Sequence, residues 1–242
     1  MKSKTLLTTI MLIFIAIFLP IAATAGQNAE EITAWVDSAV RKPDDPPYLS
    51  LHYRLRTLYF SVDPSPDHPV VFLGDSITYG GDWSALFPES PVENRGIGGD
   101  TTLGLLNRLD QIIAIKPAKV FLMIGTNDLC YGRPIPKIME NYRIILNRFH
   151  AELPNTPIYI QSVLPFNDIL FPARGLRSNS EIRKLNIHIQ ALAKEFGYPY
   201  LDLSLKMANP DGLLPVEYTS DGLHLSDKAY LVWRENIKSL VN

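Results

Sequence analysis

The chain has 242 residues, 23 basic against 25 acidic side chains and 46% apolar content, enough to bury a core in one large domain or two small ones. The near-neutral charge argues against a nucleic acid or anionic membrane partner, both of which call for a basic surface. Cys130 is the single cysteine, so no internal disulfide forms. Its expected role is burial as a small apolar side chain, since a reactive thiol needs a base and an electropositive setting.

Lys2 and Lys4 precede an apolar run from Leu6 to about Ala22, and Ala23-Thr24-Ala25 follows. That order of positive, apolar and small residues is a secretory signal peptide, with cleavage expected after Ala25. The alternative is an anchor that stays attached. No cysteine follows the run, so lipid attachment at a new N-terminal cysteine is not available. Cleavage leaves 21 basic against 25 acidic residues, a charge of about −4. No later stretch is long and apolar enough to span a bilayer. The expectation is an exported protein, periplasmic or extracellular, with no stable membrane insertion once the signal is removed.

Residues 26–242 read as one domain with a helical lead-in over about 26–66. Ile32, Trp35, Val36 and Val40 fall near one face of a helix over 30–40, which Pro43 and Pro46-Pro47 break. A second helix is expected over 53–60, ended by Pro64 and Pro66. From residue 69 strands and helices alternate. Strands are expected over 69–73, 91–94, 119–124, 157–163 and 198–203. Helices are expected over 103–115, 135–153, 181–196, closed by Gly197, and from 225 to the C-terminus, with Ser226 and Asp227 available as caps. Strands alternating with helices of ten or more residues predict an α/β fold with a mainly parallel sheet covered on both faces. Right-handed crossovers then turn all the strand carboxyl ends one way. The loops 94–102, 125–134, 164–180 and 205–224 gather there, where ligands of open α/β sheets bind.

Val70-Val71-Phe72-Leu73 ends in Gly74-Asp75-Ser76, which places the Ser76 hydroxyl just outside a strand end. The competing reading is that Asp75-Ser76 only caps the next helix. Acyl transfer by a serine needs a base, a group that orients the base, and donors for the oxyanion. His52 and His68 lie upstream of the first strand, and His150 and His188 fall inside predicted helices. His224 sits in Asp221-Gly222-Leu223-His224 on a loop, where a carboxylate three residues before a histidine can reach Nδ1 and leave Nε2 to face a serine. A turn capped by Asp221, or a two-ligand metal site, are the alternatives, but no further ligands at metal spacing accompany the pair. Asn94-Arg95-Gly96-Ile97-Gly98-Gly99-Asp100-Thr101-Thr102 is a glycine-rich stretch able to offer backbone N–H groups to an anion. No Gly-Lys-Ser/Thr follows it, which speaks against a nucleotide loop. Gly125-Thr126-Asn127-Asp128 follows the third strand, and the Asn127 amide could serve an oxyanion or simply a turn.

Taken together, Gly74-Asp75-Ser76-Ile77-Thr78, Gly99-Asp100-Thr101, Gly125-Thr126-Asn127-Asp128 and Asp221-Gly222-Leu223-His224 resemble the four ordered blocks of the SGNH (GDSL) hydrolase superfamily over about residues 69–240. Within it the chain is similar to bacterial GDSL-type esterases related to platelet-activating-factor acetylhydrolase subunits and sialate O-acetylesterases. The resemblance implies a three-layer α/β/α sandwich with a five-stranded parallel, flavodoxin-like sheet. It implies Ser76 as nucleophile, Asp221 and His224 as the rest of the triad, and an oxyanion hole from the Ser76 N–H, the Gly99 N–H and the Asn127 amide. It implies no metal and no organic cofactor. The Gly-x-Ser-x-Gly elbow of α/β-hydrolases is absent, because Thr78 stands two residues after the serine.

The substrate expected by analogy is a small-molecule or glycan ester with a short acyl group, foremost an O-acetylated carbohydrate. A lysophospholipase or thioesterase on the same triad, and a non-catalytic glycan-binding domain, are the alternatives. Tyr79, Trp83, Tyr131 and Phe166 lie near the site in sequence and could stack on a sugar, or pack in the core. Arg174 and Arg177 could meet an acidic sugar, or stay solvated. The oligomeric state is not legible in the chain.

Overall fold

The computed structural model describes residues 45–62, 65–172 and 175–242. The expected signal segment, the helix over 30–40 and Arg174 lie outside them. The chain divides between residues 63 and 64 into two units. In the first, α1 (Leu51–Val62) matches the expected second helix with a slight extension at each end, and Arg54 pairs with Asp45 at 2.8 Å.

The second unit carries the sheet. Its strands are β1 (Val70–Gly74), β2 (Val92–Gly96), β3 (Lys119–Met123), β4 (Ile158–Gln161) and β5 (Tyr200–Leu201). All pair in parallel, in the order β2-β1-β3-β4-β5. This is the flavodoxin-like doubly wound order, with its switch point beside β1. Side chains alternate across the sheet, and both faces are buried. On one, Phe72, Phe121 and Tyr159 stack in a row across β1, β3 and β4. On the other, Val71, Leu73, Val120 and Leu122 are fully enclosed. Apolar runs such as 70–73 are what a strand buried on both faces requires.

The helices that cover the sheet follow from spacing and caps. In α7 (Ile135–Glu152) the buried residues Ile138, Tyr142, Ile145, Leu146 and Phe149 form one stripe. In α8 (Asn179–Phe196) Ser178 caps the start by accepting from the Glu181 N–H, and Gly197 closes the end in the left-handed region at φ 72°. In α10 (Asp227–Val241) Trp233 turns inward, its ring edge-on to Trp83 at 4.9 Å.

Two expectations change. The helix expected over 103–115 is two helices, α4 (Thr102–Leu106) and α5 (Leu109–Ala114), broken at Asn107-Arg108. The break lets the Arg108 side chain turn inward, where Asp100 and two backbone carbonyls take its donors. The strand expected over 198–203 is only the two-residue edge strand β5, because Asp202 caps the short helix α9 (Leu203–Met207) by accepting from the Leu205 N–H. Three further one-turn helices lack the length for a periodic signal: α2 (Ser76–Tyr79), α3 (Trp83–Leu86) and α6 (Thr126–Cys130). Two of them begin at strand ends and carry Ser76 and Asn127.

Candidate active site

The turn after β1 is forced by close packing. A Cβ on Gly74 would come within 2.2 Å of Thr78 Oγ1 and 2.3 Å of the Met123 carbonyl oxygen, so only glycine lets the chain leave the sheet there. Asp75 then caps α2, its carboxylate accepting from the Ile77 N–H at 3.0 Å. The capping reading and the functional one are therefore both satisfied, by adjacent residues. Asp75 is the cap, and Ser76 beside it presents its hydroxyl. Asp75 is 1% exposed, and burial pushes its carboxyl up to about 7.

Ser76 Oγ lies 3.0 Å from His224 Nε2, although the two residues are 148 positions apart. The Nδ1 of the same ring is 2.6 Å from Asp221 Oδ2. Asp221 Oδ1 also accepts from the Leu223 and His224 N–H groups at 2.8 Å each, and from Thr219 Oγ1 at 3.3 Å. The turn thus builds its own carboxylate cradle. Partial burial pushes the Asp221 carboxyl upward, but its hydrogen bonds to the His224 ring and to the Leu223 and His224 N–H groups outweigh that and hold it below the usual carboxylate range. A carboxylate against Nδ1 fixes the proton there and leaves Nε2 as an acceptor for the serine hydroxyl. Gly222, at φ 92°, lets the turn close. A side chain there would meet the backbone of Asn167 and Phe171 within 2.8 Å.

The opposite side is assembled from three separate loops. Gly99 has φ 74°, in the left-handed region, and a Cβ built on it would meet nothing within 4 Å, so it is the backbone conformation and not crowding that favours glycine there. Asn127 is buried at 8% exposure and donates from Nδ2 to the Asp100 carbonyl at 2.9 Å. Its Oδ1 accepts from Arg177 Nη2 at 3.3 Å. Behind it, the Asp100 carboxylate receives Arg108 Nε at 2.8 Å. The remaining Arg108 donors reach the Arg95 carbonyl at 2.9 Å and the Gly74 carbonyl at 3.0 Å. Burial raises Asp100 to about 6 even though Arg108 opposes the shift. Asp128 receives the Thr102 N–H, the Thr102 hydroxyl and Arg133, tying the first residue of α4 to α6. The Ser76 N–H belongs to the first turn of α2, where helix donors have no intrahelical acceptor.

The structure therefore brings Ser76, His224 and Asp221 into one hydrogen-bonded line. It sets Asn127 and the Gly99–Asp100 loop side by side through the Asn127–Asp100 bond. Of the two readings open for Trp83 and Phe166, core packing holds and the sugar platform does not, since they are 1% and 0% exposed. Trp83 stacks flat on Phe72 at 3.8 Å. Arg177 is not a solvated loop charge but is 2% exposed. Tyr79 and Tyr131 remain accessible. Thr219, Asp100 and Arg108 support the site without having been singled out for it, and Arg177 supports it through Asn127. Only Asp100 stood inside a sequence block that pointed here. A groove of about 480 Å³ lined by Arg183, Gln190, Tyr200, Asp202 and Leu205 lies along the β5 edge and includes none of these residues.

Known proteins place the chain. The model of the GDSL-like Lipase/Acylhydrolase family matches residues 72–232. The alpha1 subunit of platelet-activating factor acetylhydrolase IB from Bos taurus is 28% identical over 194 residues, covering 76% of this chain and 77% of that protein. The structure of a GDSL-like lipase from Bacteroides thetaiotaomicron VPI-5482 superposes with TM-score 0.68 at 26% identity, covering 78% of this chain and 96% of that one. An acetyl xylan esterase structure, at 22% identity and TM-score 0.58 over 72% of this chain and 99% of that one, shares the fold. The chain belongs to the GDSL-like lipase/acylhydrolase family of the SGNH superfamily, and it is a carboxylic ester hydrolase.

Proposed function

We propose that the protein is an exported serine esterase that removes short acyl groups, foremost O-acetyl groups of a carbohydrate, through an acyl-serine intermediate. The observation that carries the chemical part is the unbroken line Ser76 Oγ–His224 Nε2 at 3.0 Å and His224 Nδ1–Asp221 Oδ2 at 2.6 Å. His224 takes the Ser76 proton as Oγ bonds to the ester carbonyl carbon. The charge that moves onto the carbonyl oxygen is received by the Ser76 N–H, the Gly99 N–H and the Asn127 amide. Collapse breaks the ester C–O bond, and His224 passes its proton to the departing alcohol. Water, deprotonated by the same ring, then releases the acid. Asp221 stays ionised throughout and holds the tautomer, in keeping with a carboxyl held below its usual range.

The acyl preference rests on the relatives named as acetylhydrolases, and export rests on the order of residues 2–25. A second reading, a lysophospholipase or thioesterase, draws on Ile169 and Leu170. Both are exposed apolar side chains whose N–H groups bond to Asn167 Oδ1, while the Asn167 backbone N–H bonds to the Gly222 carbonyl, beside the His224 turn. Hydrolysis of 4-nitrophenyl acetate, butyrate and octanoate, with Ser76→Ala alongside, separates the two. Activity strongest on acetate and absent from the variant supports the deacetylase. Preference for octanoate supports the second reading, and full activity in a folded Ser76→Ala protein overturns the triad. N-terminal sequencing of protein recovered outside the cytoplasm tests export, the expected new terminus being Gly26.

A further inference from the structure

Arg177 is a buried cation that the reaction described above does not use. It lies on the long loop after β4, yet it is 2% exposed. Among the described residues no carboxylate forms an ion pair with it, and burial lowers its pKa. Burying a guanidinium with no paired carboxylate, Asp75 acting on it only at longer range, is unfavourable, so what its donors reach matters. Nε donates to the Thr126 carbonyl at 3.0 Å, and Nη2 to Asn127 Oδ1 at 3.3 Å. Nη1 is enclosed without a hydrogen-bond partner. The rings of Phe166 and Phe171 lie 5.8 and 5.7 Å from the guanidinium carbon and limit where that plane can go.

The consequence falls on Asn127. A guanidinium carries only donors, and a backbone carbonyl only accepts. With Arg177 on one side and the Asp100 carbonyl on the other, the amide has one satisfied orientation, Oδ1 toward Arg177 and Nδ2 toward Asp100. Turned over, it would set donor against donor and acceptor against acceptor. In the satisfied orientation one Nδ2 hydrogen is used on Asp100 and the second is left for another acceptor.

We propose that Arg177 is a positioning residue of the oxyanion hole: anchored on the Thr126 carbonyl, it locks the Asn127 amide in the orientation that offers an N–H to the oxygen developing on the substrate. Arg177 touches no substrate and acts through Asn127. The inference rests on the reading of Asn127 as an oxyanion donor.

The test is a double-mutant cycle on the full chain, reading kcat and KM for 4-nitrophenyl acetate in wild type, Arg177→Met, Asn127→Ala and the double variant, with thermal melts of each. Loss of one oxyanion donor lowers kcat by about 10²–10³-fold, the expectation for Asn127→Ala. Arg177→Met is expected to lower kcat by about 10–100-fold, within that bound, with KM little changed. The double variant should match Asn127→Ala alone. A role confined to loop stability would instead lower activity by the same factor in both backgrounds, and that result overturns the proposal. So does wild-type kcat in Arg177→Met. Wild-type kcat in Asn127→Ala removes the underlying oxyanion reading itself, which separates the two failures. If Arg177→Met does not fold, Arg177→Lys takes its place in the cycle. It keeps the charge but cannot reach both acceptors in a fork, and its loss in kcat must likewise vanish beside Asn127→Ala.

Discussion

The two sides of the site are built in opposite ways. The His224 side is a single turn. Asp221 and His224 are three residues apart, the carboxylate is cradled by the turn's own N–H groups, and both side chains are more than 40% exposed. The Asn127 side draws on segments around residues 74, 99, 108, 127 and 177, and its polar groups Asp100, Arg108, Asn127 and Arg177 are at most 8% exposed. Groups that must exchange protons with substrate and water stand in the open on a short, self-contained turn. Groups that must only hold still are sunk where hydrogen bonds are stronger and an unpaired group is more costly. The first side is thus cheap in stability and decisive for chemistry, and the second is the reverse.

The largest effect expected is on chemistry alone. Ser76→Ala or His224→Ala should lower kcat/KM by about 10⁶-fold, and Asp221→Asn by about 10⁴-fold, with denaturation midpoints close to wild type. A large loss of stability in any of the three would break the contrast. Next comes Arg108→Met, which leaves the Asp100 carboxylate buried without its partner. It should lower unfolding free energy by about 3–5 kcal/mol, measured by urea titration. An unchanged midpoint would show the strut to be dispensable.

Asp75 sharpens the contrast through pH. Its folded pKa of about 7 lies above the ordinary 3.8, so the folded protein holds this proton more tightly. The stabilisation is full below about pH 4 and is lost as pH rises through about 7, with a ceiling of about 4 kcal/mol. Asp75→Asn cannot titrate and keeps an oxygen for the Ile77 N–H. The stability advantage of wild type over this variant should therefore shrink between pH 4 and pH 8. A constant difference across that range would refute it. The smallest effect on kcat belongs to Thr219→Ala, which removes the acceptor of the Gly222 N–H and a hydrogen bond to Asp221. At about 0.5–1.5 kcal/mol for such a bond, kcat should fall by no more than about tenfold.

Much of this was legible because it is local. The apolar run 70–73, the cap-and-hydroxyl pair Asp75-Ser76, the Asp221–His224 spacing and the alternation of strands and helices are short-range patterns, and the α/β class and five-stranded parallel sheet follow from them and from the resemblance they support. The split of the helix at Asn107-Arg108 was not legible, since the apolar period of residues 103–115 continues through it. What ends the helix is the pull of Asp100 and the Arg95 and Gly74 carbonyls on one guanidinium. Trp83 shows the same limit: nothing in its neighbours distinguishes a ring stacked on Phe72 from one lining a cleft.

By itself, then, the sequence determined which groups can do acyl chemistry and that they stand at strand ends, because strand period, capping and turn chemistry act over a few residues. Only the tertiary structure decided that Ser76 meets His224 across 148 positions, and that Arg177 lies against Asn127 rather than in water. Burial and long-range hydrogen bonding depend on what the rest of the fold brings alongside, and no local pattern encodes that.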